Sequence, residues 1–131
     1  MYGFFKKIVI IDLSQESYRI QDVDDGVYRD YLGGKGLATW LLAQLNPKGV
    51  DPLGEENHLI FTTGPSIGST TWGSSRYGVF TKSPLTGFYV ESYSGGKVPE
   101  AVGATGFDAI IFKGKAKHLS VVEVTPEKIM F

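Results

Sequence analysis

In Arg76-Tyr77-Gly78-Val79-Phe80-Thr81-Lys82-Ser83-Pro84-Leu85-Thr86-Gly87-Phe88-Tyr89-Val90-Glu91-Ser92, two runs rich in β-branched and aromatic residues flank a cluster of turn formers. Proline presets φ and glycine accepts positive φ, so Ser83 to Gly87 is expected to be a turn joining strands over 76–82 and 88–92. Outward from this hairpin, nine of the seventeen glycines lie between Gly64 and Gly106, and they surround one arginine, Arg76, with hydroxyls. Glycines let the backbone approach a ligand closely and turn free N–H groups toward an anion. The region reads as the floor of a binding site.

The flanking sequence supplies the rest of a sheet and its helices. Lys7 to Leu13 is apolar and β-branched, Ser14-Gln15-Glu16 is polar, and Ser17 to Gln21 alternates, which predicts a hairpin. From Val27 the spacing turns helical: Val27, Tyr31 and Leu32 give a short helix at best. Leu37, Trp40, Leu41 and Leu45 then mark a long one, stopped at Asn46-Pro47. Strands are expected over 58–62, 108–113 and 120–124. A short helix is expected over 97–104, with Pro99 in its first turn. Thr125 to Lys128 reads as a turn, after which Ile129-Met130-Phe131 begins an apolar strand at which the chain stops. The expected class is α+β, a mainly antiparallel β-sheet platform with one long and one short helix.

Composition excludes several functions. The 131 residues carry 13 basic and 14 acidic side chains, a formal charge of −1, and no basic stripe for nucleic acid. No segment approaches the roughly 20 apolar residues of a membrane span, and no signal peptide is visible, so a cytoplasmic protein with no membrane partner is expected. The absence of cysteine removes disulfides, thiolate metal sites and cysteine-ligated clusters from this chain. His58 and His118 lack ligand-spaced partners and read as surface or strand-end residues. Asp22, Asp24 and Asp25 read as helix-capping residues. No nucleophile with an activating base can be assembled, so no catalytic and no metal-ligating residue is expected.

The candidate binding residues are Arg76, Ser94, Gly95 and Gly96. Arg76 offers a planar fork of donors suited to a phosphate or to the carbonyl edge of a heterocycle, although a surface arginine at a strand start would look the same. Ser94-Gly95-Gly96 before a helix would present free N–H groups to an anion; an ordinary glycine turn is the alternative. Gly33-Gly34-Lys35-Gly36 lacks the spacing of a P-loop, which argues against nucleotide hydrolysis. Trp40, Leu41, Tyr89 and Tyr93 read as core packing.

Ordered motifs along nearly the whole chain carry a resemblance. They are Met1-Tyr2-Gly3, Tyr31-Leu32-Gly33-Gly34-Lys35-Gly36-Leu37-Ala38, Asp51-Pro52-Leu53, Thr63-Gly64-Pro65 and Arg76-Tyr77. Farther on come Thr81-Lys82-Ser83-Pro84-Leu85-Thr86-Gly87-Phe88, Ser94-Gly95-Gly96 and Gly106-Phe107-Asp108-Ala109-Ile110-Ile111. With these the sequence resembles the N-terminal part of the tungsten-containing aldehyde ferredoxin oxidoreductase family. The resemblance implies an enzyme that oxidises aldehydes to carboxylic acids and passes electrons through a [4Fe–4S] cluster to ferredoxin. It also implies a tungsten (or molybdenum) bis-pterin cofactor held by dithiolenes. Residues 1–131 would be about the first half, one β-α-β unit, of the bis-pterin-binding N-terminal domain, with Arg76 reaching a pterin and Ser94, Gly95 and Gly96 contacting it mainly through the backbone.

Two positions depart from the family pattern. Tyr93 stands where the family usually has an asparagine that helps to hold a magnesium ion, and a phenol is a poor ligand for that ion, which puts magnesium here in doubt. Ser66-Ile67 replaces the Leu-Thr of the family's Gly-Pro-Leu-Thr-Gly. The cluster ligands and the other pterin clamps would belong to later domains, so the chain alone is expected to be inactive and prone to self-association. A stand-alone pterin-binding or assembly module without catalysis is the other reading.

Overall fold

The computed structural model describes residues 2–131; Met1 of the Met1-Tyr2-Gly3 motif lies outside the described residues. Six strands form one sheet in the order β2-β1-β6-β3-β4-β5. They are β1 (Lys7–Asp12), β2 (Ser17–Asp22), β3 (Leu59–Thr63), β4 (Tyr77–Lys82), β5 (Tyr89–Ser94) and β6 (Ala109–Lys113). Only the β1–β6 pair is parallel; β1–β2, β3–β6, β3–β4 and β4–β5 are antiparallel. β1 and β6 read as continuous apolar runs because both of their faces are covered. β2 and β5 form the edges and are almost wholly exposed.

Helices α1 (Asp25–Tyr31) and α2 (Lys35–Leu45) cover one face. There Leu37, Ala38, Leu41 and Leu42 of α2 and Tyr28 of α1 pack on Ile8, Ile10, Ile60, Phe80, Ala109 and Ile111. The opposite face buries Val9, Ile11, Phe107 and Ile110 under Val102 of α3 (Val98–Ala104) and under a separate hairpin of β7 (Glu123–Val124) and β8 (Ile129–Met130). The expected α+β class and mainly antiparallel sheet are observed, as are the long and the short helix. α1 is a third helix where the apolar spacing allowed a short one at best.

Local chemistry accounts for the junctions. Asp24 caps α1, its carboxylate accepting from Gly26 N at 2.7 Å. Gly36 is required by the approach of the two helices, since a Cβ there would lie 1.8 Å from the Tyr31 carbonyl oxygen. In the β4–β5 turn Gly87 takes φ +73°, and Ser83 Oγ accepts from Leu85 N and Thr86 N. Asp108 ties the N-terminal segment to α1 and β6, accepting from Phe5 N, Lys6 N and, at 2.6 Å, from the Tyr28 hydroxyl.

One expectation needs correction, and two others gain detail. The strand over 120–124 shortens to Glu123–Val124, because residues 120–122 pair with no strand, although Val122 packs against the core of the second face. The strand expected to begin at Ile129 is present as Ile129–Met130; it pairs with β7, and Ile129 is buried. His58 stands directly before β3, the strand-end alternative of its reading, and is 7% exposed, its Nδ1 donating to Asn46 Oδ1 at 2.8 Å. Among the described residues no helix is long and apolar enough to cross a membrane.

Candidate functional site

Arg76 and Ser94-Gly95-Gly96 meet at one end of the β4–β5 hairpin. Tyr77 pairs with Ser94, so Arg76 sits just before β4 while Gly95 and Gly96 leave β5 beside it. Ser75 locks this junction: its hydroxyl donates to the Gly96 carbonyl at 2.6 Å. A Cβ on Gly95 would come within 3.2 Å of the Ser75 carbonyl oxygen, and Gly96 takes φ +83° with open space where a Cβ would be. These two glycines therefore let the strands close up and keep a bare backbone surface.

The donor set suits an anion. The Arg76 guanidinium is exposed and makes no ion pair or hydrogen bond among the described residues. The N–H groups of Gly95 and Gly96 donate to no other backbone group. Lys97, the α3 N-cap residue, follows directly and is also exposed. The candidate residues named from the sequence do not include this second cation, although it adjoins the Ser-Gly-Gly motif. α3 has only seven residues, so its dipole adds little, and the side chains and bare N–H groups carry the attraction. From Gly64 to Pro99 the only carboxylate is Glu91, and strand alternation places it on the face opposite Ser94.

Glu91 belongs to a polar group against α2. Lys35 Nζ lies 2.9 Å from Glu91, and the Tyr89 hydroxyl is 3.0 Å from Glu91 and 3.1 Å from Thr39 Oγ1. Its hydrogen bond to Lys35 holds the Glu91 carboxyl below the usual carboxylate range, and the Lys35 ammonium is raised by the same contact. Tyr89 and Tyr93 are half exposed rather than core residues, each setting its ring against Phe80. Gly78 permits this, since a Cβ there would meet the Phe80 ring at 2.5 Å and Tyr93 at 3.0 Å. Tyr93 thus faces α2, away from Ser94. Burial, then the Glu91 charge, pushes its phenol upward, so it stays a neutral phenol with little affinity for a hard cation.

The Gly33-Gly34-Lys35-Gly36 turn is occupied by packing. Gly33 lies against Phe4, Pro65 and the Thr63 carbonyl, and Gly34 N donates to that carbonyl at 3.0 Å. Elsewhere, a cleft of about 410 Å³ between the end of α2 and the β4–β5 turn is lined by Leu42, Val50, Phe88 and Tyr89 and does not include Arg76. No group of three or more potential metal-ligating side chains converges among the described residues.

Comparison with known proteins bears on this geometry. The family model described as "Aldehyde ferredoxin oxidoreductase, N-terminal domain" matches residues 8–131. The tungsten-containing aldehyde ferredoxin oxidoreductase of Pyrococcus furiosus is 36% identical over 129 residues, covering 98% of this chain and 21% of that protein. An aliphatic sulfonate oxidoreductase, WOR-like subunit, of the same organism is 35% identical over 120 residues, 89% of this chain and 19% of that protein. Among solved structures, the active site complex BamBC of benzoyl coenzyme A reductase with 1,5-dienoyl-CoA superposes with a TM-score of 0.94 at 31% identity, over 98% of this chain and 20% of that one. The chain spans about a fifth of the length of these relatives.

Proposed function

The chain belongs to the aldehyde ferredoxin oxidoreductase family, matching its N-terminal domain, and from this premise we propose that it forms the cofactor-facing floor of a tungsten (or molybdenum) bis-pterin oxidoreductase. The observation that carries the reading is the junction of Arg76 with Ser94, Gly95 and Gly96. There a guanidinium with no partner among the described residues adjoins glycine N–H groups that donate to no other backbone group, and from Gly64 to Pro99 the only carboxylate, Glu91, is held by Lys35. A pterin offers the matching chemistry, a carbonyl edge and a phosphate.

Arg76 would hold the edge or the phosphate through its fork, and Lys97 would add charge. Ser75 would keep Gly96 in place, and the Gly95 and Gly96 backbone would accept close approach. When bound, the metal centre would supply oxidation of an aldehyde to its acid, with electrons leaving through a [4Fe–4S] cluster held by other domains toward ferredoxin. This chain's part is to bind and orient. It offers no side chain with an activated proton at the site, and residues 1–131 would be about the first half of the domain that does the binding.

The test uses the full-length enzyme. Arg76→Ala should retain the fold and lose pterin and metal, since a hydrogen bond to a charged group contributes about 1.5–3 kcal/mol. Arg76→Lys should recover part, keeping the charge without the fork. Metal and pterin content per folded protein is the measurement, and unchanged content in Arg76→Ala would remove Arg76 from the site.

A further inference from the structure

The loop between β3 and β4 is fastened at two points and free between them. Near its start Ile67 lies so close to α3 that a Cβ on Gly103 would come within 2.8 Å of Ile67 Cγ1. At its end Ser75 donates to the Gly96 carbonyl. Gly103 lies in the last turn of α3 and Gly96 just before its first, so the loop spans the length of that helix. Residues 68–73 between the anchors are all exposed. Gly68 and Gly73 each take φ +76°, and a Ser74 N to Thr71 O hydrogen bond of 3.3 Å sets Trp72 and Gly73 at the tip of a turn.

Trp72 is 99% exposed, an indole with no packing partner, four residues from Arg76. An aromatic side chain gains most when its large apolar face is covered, and a single indole left wholly in water contributes nothing to the fold. In the proposed site Arg76 would hold a planar ligand at its edge and leave the ligand's flat face bare. Glycine at position 73, next to the indole, gives the tip the backbone freedom to bring Trp72 over that face.

We infer that Trp72 is the stacking platform of the Arg76 site, covering the face of a heteroaromatic, anionic ligand whose edge or phosphate is held by Arg76. The inference rests on the pterin reading of that site and adds the residue that would recognise the ring itself. Flat heterocycles stack on aromatic side chains whatever their edge pattern, so the indole supplies affinity and Arg76 the orientation.

The chain has two tryptophans, so Trp40→Phe leaves Trp72 as the only indole reporter. Titration of that protein with neopterin phosphate should quench the red-shifted emission of an exposed indole. The polarisation of the ligand's own fluorescence measures affinity independently. Trp72→Ala should weaken binding about tenfold, and Trp72→Phe should restore part of it. If Arg76→Ala weakens binding while Trp72→Ala binds as wild type, the indole serves another contact and the inference is overturned, with the site intact. If the 131-residue wild type does not bind, or Arg76→Ala binds as wild type, Arg76 forms no pterin site within this chain, and the role of Trp72 falls with it.

Discussion

Thr62 is buried in the middle of β3, and its hydroxyl is the one buried side-chain polar atom without a hydrogen-bond partner among the described residues. Its Cα partners, Gly78 and Ala109, have no polar side chain to offer. A hydroxyl kept from water without a partner costs about 1–3 kcal/mol, so Thr62→Val, nearly the same shape, should raise unfolding free energy by about 1 kcal/mol; a urea midpoint at or below that of wild type would contradict this. His58 carries the opposite liability. Burial, ahead of the Lys113 and Arg19 charges and against the Glu56 carbonyl, holds its pKa below the usual 6.5. The unfolded chain therefore binds a proton at a pH where the folded chain does not. Stability contributed by neutral His58 is full above 6.5 and declines as pH falls from there to the folded pKa. The expected result is an unfolding free energy that drops as pH falls through and below the usual 6.5, with the slope much reduced in His58→Gln. Equal slopes in both proteins would place the titration elsewhere.

Among the elements, α1 depends most on its cap. Tyr28 is the only fully buried side chain of its seven residues, so helical periodicity is weak and Asp24 supplies the start signal. Asp24→Ala should cost about 1 kcal/mol, measured by urea unfolding; no loss would mean that the Tyr28–Asp108 bond alone holds the helix. That weak periodicity is also why α1 was less legible in the sequence than α2, whose Leu37, Leu41 and Leu42 repeat at helical spacing. The hairpins β1–β2 and β4–β5 were legible because polar or Pro-Gly turns separate runs of different period. The parallel β1–β6 pairing was not, since no local signal links Ile8 to Ala109 across some hundred residues. At the candidate site, Arg76 and Ser94-Gly95-Gly96 could be singled out from glycine and charge pattern. Their adjacency came from the Tyr77–Ser94 register, and the exposure of Trp72 came only from the loop's two anchors.

For the whole molecule, the two faces of the sheet differ. α1 and α2 bury one face, whereas α3 and the β7–β8 hairpin cover only the middle of the other. Tyr18 and Ile20 on the β2 wing, and Leu59 and Val90 toward the β5 wing, remain exposed on that second face, with Val90 37% and Ile20 52% accessible. Both outer strands also leave unpaired backbone groups along their free edges, and neither has a proline or lysine to discourage pairing. In the relatives about four-fifths of the polypeptide lies beyond the matched part, enough to cover such a face. By itself the chain has only other copies for this purpose, and apolar patches of this kind drive association. The 131-residue protein should therefore self-associate with rising concentration, and the pair Ile20→Lys and Val90→Lys should shift it toward monomer while leaving its circular dichroism unchanged. Light scattering that finds wild type monomeric over a wide concentration range, with no binding of an apolar-surface dye, would show that the second face is closed as it stands.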